Sequence, residues 1–92
     1  LISIPDEFGI VSAYPNPFNS TTQISFRLTE SGKIDLALFD LSGRQVLDLI
    51  TGQYKAGLHT VTLDGSSLSS GFYLAKLNSS EGSSKLKLSF IK

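Results

Sequence analysis

The sequence predicts an all-β protein, an antiparallel β-sandwich of about seven strands. Three observations carry this. Apolar and polar residues alternate with period two in stretch after stretch, as in a strand with one buried face. Glycines punctuate those stretches, where tight turns need backbone freedom. Helical periodicity is weak throughout. The 92 residues are 40% hydrophobic and 17% charged, a globular composition. A chain of this length makes one domain and buries roughly 60–65% of its unfolded surface, enough for one modest core.

The elements follow in order. A short first strand is expected in "GIVSAY". "AYPNPFNSTT" comes next. Pro15 and Pro17 lack a backbone N–H and push Tyr14 and Asn16 toward extended geometry. The segment therefore cannot be a central strand. It reads as an edge strand that breaks, with Asn19 and Ser20 turning the chain into the next strand. "TTQISFRL" places Thr22, Ile24, Phe26 and Leu28 on one face. "KIDLALF" turns Ile34, Leu36 and Leu38 inward. "RQVLDLI" is a less regular strand, with Val46, Leu49 and Ile50 apolar, and is the one stretch where helical spacing competes. "LHTVTLD" sets His59, Val61 and Leu63 against Leu58, Thr60 and Thr62. "FYLAKLN" gives Tyr73, Ala75 and Leu77 one face and Lys76 the other. "KLKLSFIK" sets Leu86, Leu88 and Phe90 against Lys85, Lys87 and Ser89.

Gly32, Gly43, Gly52, Gly57, Gly65, Gly71 and Gly82 are expected between strands. "DLSGR" reads as a hairpin loop with Gly43 left-handed and Asp40 bonding into the turn. "ESGK" and "SEGS" read the same way. "TGQYKAG" and "DGSSLSSG" are longer connections. Strand number and spacing favour an Ig-like or fibronectin-like sandwich over a barrel, without the Cys–Trp–Cys pattern of antibody domains.

Composition narrows the function. Eight basic and eight acidic residues give zero net charge, against a nucleic-acid binder. No apolar run approaches the ~18 residues of a membrane-spanning helix. Cysteine is absent, which removes disulfides and thiolate metal sites. "LISIPDEF" lacks the basic start and apolar run of a signal peptide. The chain does not begin with Met, so it reads as a piece of a longer protein. Residues 1–9 are expected to be a linker remnant and 10–92 the domain.

An active site is hard to build from these residues, and no enzyme, cofactor or metal is expected. The one histidine, His59, sits on an apolar strand face and reads as a core or rim residue. Serines cluster in turns. Asp35, Asp40, Asp48 and Asp64 are spread over different predicted elements. No calcium-loop spacing occurs. Tyr14, Phe39, Tyr54 and Phe72 are the aromatics that could stack on sugars, so a carbohydrate-binding or structural accessory module of a secreted enzyme stays open. Two tripeptides, at Asn19 and Asn78, match the N-glycosylation pattern, which is common by chance in a serine-rich chain. Lys85, Lys87 and Lys92 make a basic stripe beside Leu86, Leu88 and Phe90. Such lysines protect an edge strand from aggregation, or they present an address to a partner.

Four motifs in order resemble those of a known family: Pro15-Asn16-Pro17, then Asp40-Leu41-Ser42-Gly43-Arg44, then Gly57 with His59, then Ser70-Gly71-Phe72-Tyr73. With the lysine-bearing last strand, they resemble a type IX secretion system (Por secretion system) C-terminal sorting domain, type A. The similar Ig-like module of flagellar hook-capping proteins shares the pattern. Ser20 departs from the family's common proline. The resemblance implies a non-catalytic sandwich behind an upstream cargo protein. The domain would take its cargo from the periplasm across the outer membrane of Bacteroidetes-type bacteria. A sortase-like surface peptidase would then remove it, leaving the cargo at the cell surface or secreted. The cleavage region would lie at or before Leu1 to Phe8. Recognition by the outer-membrane machinery would fall on Gly71, Phe72, Tyr73, Lys85, Leu86, Lys87, Leu88, Phe90, Ile91 and Lys92.

Overall fold

The computed structural model describes residues 7–92. Seven strands run in chain order: β1 (Gly9–Tyr14), β2 (Thr21–Leu28), β3 (Gly32–Asp40), β4 (Gln45–Tyr54), β5 (Gly57–Asp64), β6 (Gly71–Ser79) and β7 (Gly82–Phe90). A single 3₁₀ turn (Gly65–Ser67) interrupts the β5–β6 connection. The strands form two antiparallel sheets, β1-β2-β5 and β4-β3-β6-β7. This is a β-sandwich, as the alternation predicts, and not a barrel. The expected linker and cleavage region falls mostly on residues outside those described. Of its described part, Phe8 packs against the core and Gly9 opens β1.

The inward faces are those the alternation assigns. Ile24, Phe26, Leu36, Leu38, Leu63, Ala75, Leu77 and Leu88 are fully buried. Each contributes roughly 1.5–3 kcal/mol of transfer free energy for a large side chain and less for alanine. Thr22 is buried too, and its hydroxyl donates to the Pro15 carbonyl at 2.6 Å. A buried hydroxyl without such a partner would be costly.

Two expectations need correction. Gly52 lies inside β4 opposite Ile34, not between strands, so the β4–β5 connection is only Lys55-Ala56. Gly32 and Gly65 take no positive φ. Gly65 is instead a close-approach position: a Cβ there would lie 2.7 Å from the Phe90 ring and 3.1 Å from Phe18. "RQVLDLI" is strand, as the sequence reads. Its uneven pattern comes from two bulges, because the pairing with β3 skips Leu49 and Val46. A bulge lets neighbouring residues face the same way. Val46, Leu47, Leu49 and Ile50 all pack against the core as a result.

Candidate functional site

The site begins at the edge of the four-stranded sheet. There β7 pairs only with β6 on one side. An uncovered edge offers free N–H and C=O groups to any other chain. The "PNPF" segment covers it. Phe18 runs parallel to β7, donating its N–H to Ser89 O (3.0 Å) and accepting from Ile91 N (2.9 Å). Pro15 and Pro17 have no N–H to offer, so the residue between them supplies a side chain instead. Asn16 Nδ2 donates to Lys87 O at 3.1 Å, and Asn16 Oδ1 accepts from Ser89 N at 3.0 Å. An amide side chain carries both a donor and an acceptor, as a peptide group does. Asn16 thus stands in for a strand residue.

The clasp is anchored below by aromatic packing. Phe18 and Phe90 are both 2% exposed, with ring centroids 4.8 Å apart. Gly65 lies against both rings, and its N–H donates to Ser20 O at 2.9 Å. A side chain at 65 would displace the pair. Further along, Ile10 N donates to Ser84 Oγ at 3.0 Å, tying β1 to the other end of β7.

The residues expected to carry recognition gather at one end of the β6–β7 pair. Gly71 faces Phe90, Phe72 faces Ser89, and Tyr73 faces Leu88. Tyr73, Leu88 and Phe90 are buried, and Leu86 is half-buried. Tyr73 Oη donates to Ser69 O at 2.5 Å. Phe72 and Ile91 are about half exposed. The Lys87 ammonium sits 4.4 Å from the Phe72 ring centroid. Lys85 is exposed on the same outer face. Lys92 departs from the expected stripe. It lies beyond β7, with its N–H on Ser70 Oγ (2.9 Å) and its ammonium on Leu68 O (3.4 Å).

The other motifs lie elsewhere. Asp40 organises the β3–β4 hairpin: its Oδ1 accepts from Ser42 N (3.0 Å), Ser42 Oγ (2.6 Å) and Arg44 N (3.0 Å). Gly43 takes φ +93°, as the turn requires. The Ser42 hydroxyl, then the Arg44 N–H, hold the Asp40 carboxyl below its ordinary pKa. Gly57 (φ +130°) opens β5. His59 is half-buried on the rim. It stacks on Phe26 (5.4 Å), meets Tyr54 edge-on (5.3 Å), and bonds through Nε2 to Lys55 O (2.7 Å). These motifs shape turns and the sandwich rim. They are not brought to the clasp.

Two groupings escape the sequence. Asn16 reads there only as a residue pushed toward extended geometry, although an amide between two prolines is itself a signal for a side chain doing backbone work. Asp35 and Asp48, expected apart, share Thr51, whose hydroxyl lies 3.2 Å and 3.3 Å from them. Among the described residues, no group of three or more His, Cys, Asp or Glu side chains could hold a metal ion.

A model of the secretion system C-terminal sorting domain family matches residues 12–92. No curated protein and no solved structure matches the chain. The matched span takes in the clasp, the Asp40 hairpin and the β6–β7 pair. The chain belongs to the family of type IX secretion system C-terminal sorting domains.

Proposed function

We propose that this domain carries an upstream cargo protein from the periplasm across the outer membrane and is then cut away by a sortase-like surface peptidase. Family membership implies export to the cell surface or beyond through the type IX machinery, with a cargo attached upstream. No helix among the described residues is long and apolar enough to cross a membrane. The domain acts by being recognised and catalyses nothing. The observation that carries the reading is the family match over residues 12–92.

The surface proposed for recognition is the exposed part of the β6–β7 end, Phe72, Lys85, Lys87, Ile91 and Lys92 beside Gly71, while Tyr73, Leu88 and Phe90 lie buried beneath it and hold its shape. Its exposed Phe72 beside Lys87, with exposed Ile91 near Pro15 and Pro17, gives a partner apolar area and positive charge together. The test fuses a passenger upstream of the 92-residue chain in a type IX-competent host. Surface exposure is read by protease sensitivity in intact cells. A folded passenger held in the periplasm would sink the proposal. A second arm replaces Lys85, Lys87 and Lys92 with Gln. Exposed substitutions of this kind usually change stability by about 0.5 kcal/mol or less. Export should fall while the melting profile holds, and the wild type's association with its partner should weaken with added salt if charge draws the partner in. Normal export of the folded variant would reduce the lysines to edge protection.

A further inference from the structure

Across its middle rows the outer face of the four-stranded sheet is divided by charge. Cross-strand register sets out its rows. One runs Thr51, Asp35, Asn78, Ser83 across β4, β3, β6 and β7. The next runs Asp48, Ala37, Lys76, Lys85. The third runs Gln45, Phe39, Leu74, Lys87. The β4–β3 half carries Asp35 and Asp48, with Lys33 beyond Asp35 at the end of the face, opposite Gln53. The β6–β7 half carries Lys76, Lys85 and Lys87. Between them Phe39 faces Leu74, both half-buried, along a shallow cavity of about 200 Å³ that Leu41, Lys76 and Lys85 also line.

Each half is unfavourable alone. Lys76 stands directly opposite Lys85, and like charges opposed on a sheet destabilise it. Neither lysine forms an ion pair among the described residues. Asp35 and Asp48 converge on one threonine hydroxyl and, among the described residues, form no ion pair either. A free anion or acidic peptide would answer the lysines and leave the aspartates. Only a partner with both signs in mirrored order answers both.

We infer that this face docks a second copy of the chain. A two-fold axis along the strands, between β3 and β6, lays β7 of one copy over β4 of the other. Row by row, Lys85 then meets Asp48 of the second copy, Lys76 meets Ala37 between the two aspartates, and Leu74 meets Phe39. Every contact occurs twice, as an isologous interface demands. The packing is the aligned sheet-on-sheet kind, about 10 Å apart. Four strands about 4.8 Å apart give roughly 500 Å² of face per copy, the low end for a specific complex, so the dimer is weak.

The test is sedimentation equilibrium of the 92-residue chain up to about 1 mM. Dimer should form and should weaken as salt rises. Lys85→Asp alone and Asp48→Lys alone each put like charges across the interface and should weaken association by about tenfold or more, a loss of ~1.4 kcal/mol. Mixing the two variants should restore a one-to-one heterodimer, and the double variant should dimerise again. Circular dichroism keeps each variant honest about its fold. A wild-type chain that stays monomeric at the highest concentration overturns the inference. So do single reversals without effect, or a mixture that fails to recover.

Discussion

Asn16→Ala removes both side-chain bonds to the edge of β7 and leaves the backbone bonds of Phe18 in place. Each lost bond has a net worth of about 0.5–1.5 kcal/mol. Both lie at the surface, where water can take up the freed Lys87 carbonyl and Ser89 N–H, so the lower half of that range applies. The pair then comes to about 1–2 kcal/mol, which in a domain of this size lowers the melting temperature by roughly 4–16 °C. Thermal circular dichroism reads the global effect. Amide hydrogen exchange at Ser89 reads the local one, because that N–H is held by Asn16 Oδ1. Its protection should fall by about tenfold or more, while amides in the β3–β6 ladder follow only the global change. Asn19→Ala, on a nearby exposed residue, is the control and should shift stability by about 0.5 kcal/mol or less. Unchanged melting together with unchanged Ser89 exchange would show that the amide is a bystander.

Phe26→Ala should cost about 3–5 kcal/mol and Leu36→Ala about 2–5 kcal/mol, since both side chains are fully buried. Denaturant midpoints like the wild type's would mean that the sandwich interior is misassigned. Gly65→Ala should cost about 1–3 kcal/mol by driving a methyl into Phe90 and Phe18. Wild-type stability there would show the rings free to move aside. Asp40 gives a pH signature. Its carboxyl titrates lower in the folded chain. The stabilisation it gives is therefore present above the unfolded carboxylate range and lost as pH falls through its folded value, below about pH 4. Melting of the wild type should drop on acidification through that window, and Asp40→Asn should drop less. Parallel acid profiles would count against the turn's role.

The strands were legible because each buries one face. Thr22, Ile24, Phe26 and Leu28 could be read as inward from spacing alone, since a one-residue slip would expose them all. β4 was harder because its bulges put Val46 and Leu47, then Leu49 and Ile50, on the core side together. Local periodicity has no way to register an extra residue that only the partner strand defines. Phe18 was missed as core for a similar reason: it lies in a proline-rich break, and its burial depends on Phe90 and Gly65. The residues of the β6–β7 end were nameable through the motifs, and their gathering follows from strands adjacent in sequence. The clasp and the charge-divided face were not legible. The first joins segments at opposite ends of the chain. The second exists only once the strand order β4-β3-β6-β7 sets Asp48 and Lys85 on one row.

The clasp also bears on when the domain can finish folding. Its two side-chain bonds link residues 71 and 73 positions apart in sequence. Contacts so distant form late, because the loop they close must first be ordered. A chain still being synthesised has made Asn16 and Phe18 long before Lys87, Ser89 and Ile91 exist. Until then the early segment has nothing to grip, and β6 presents a bare edge to neighbouring nascent chains. Only a chain made through Ile91 can close that edge, so a product terminated before it leaves the edge open to pairing with another chain.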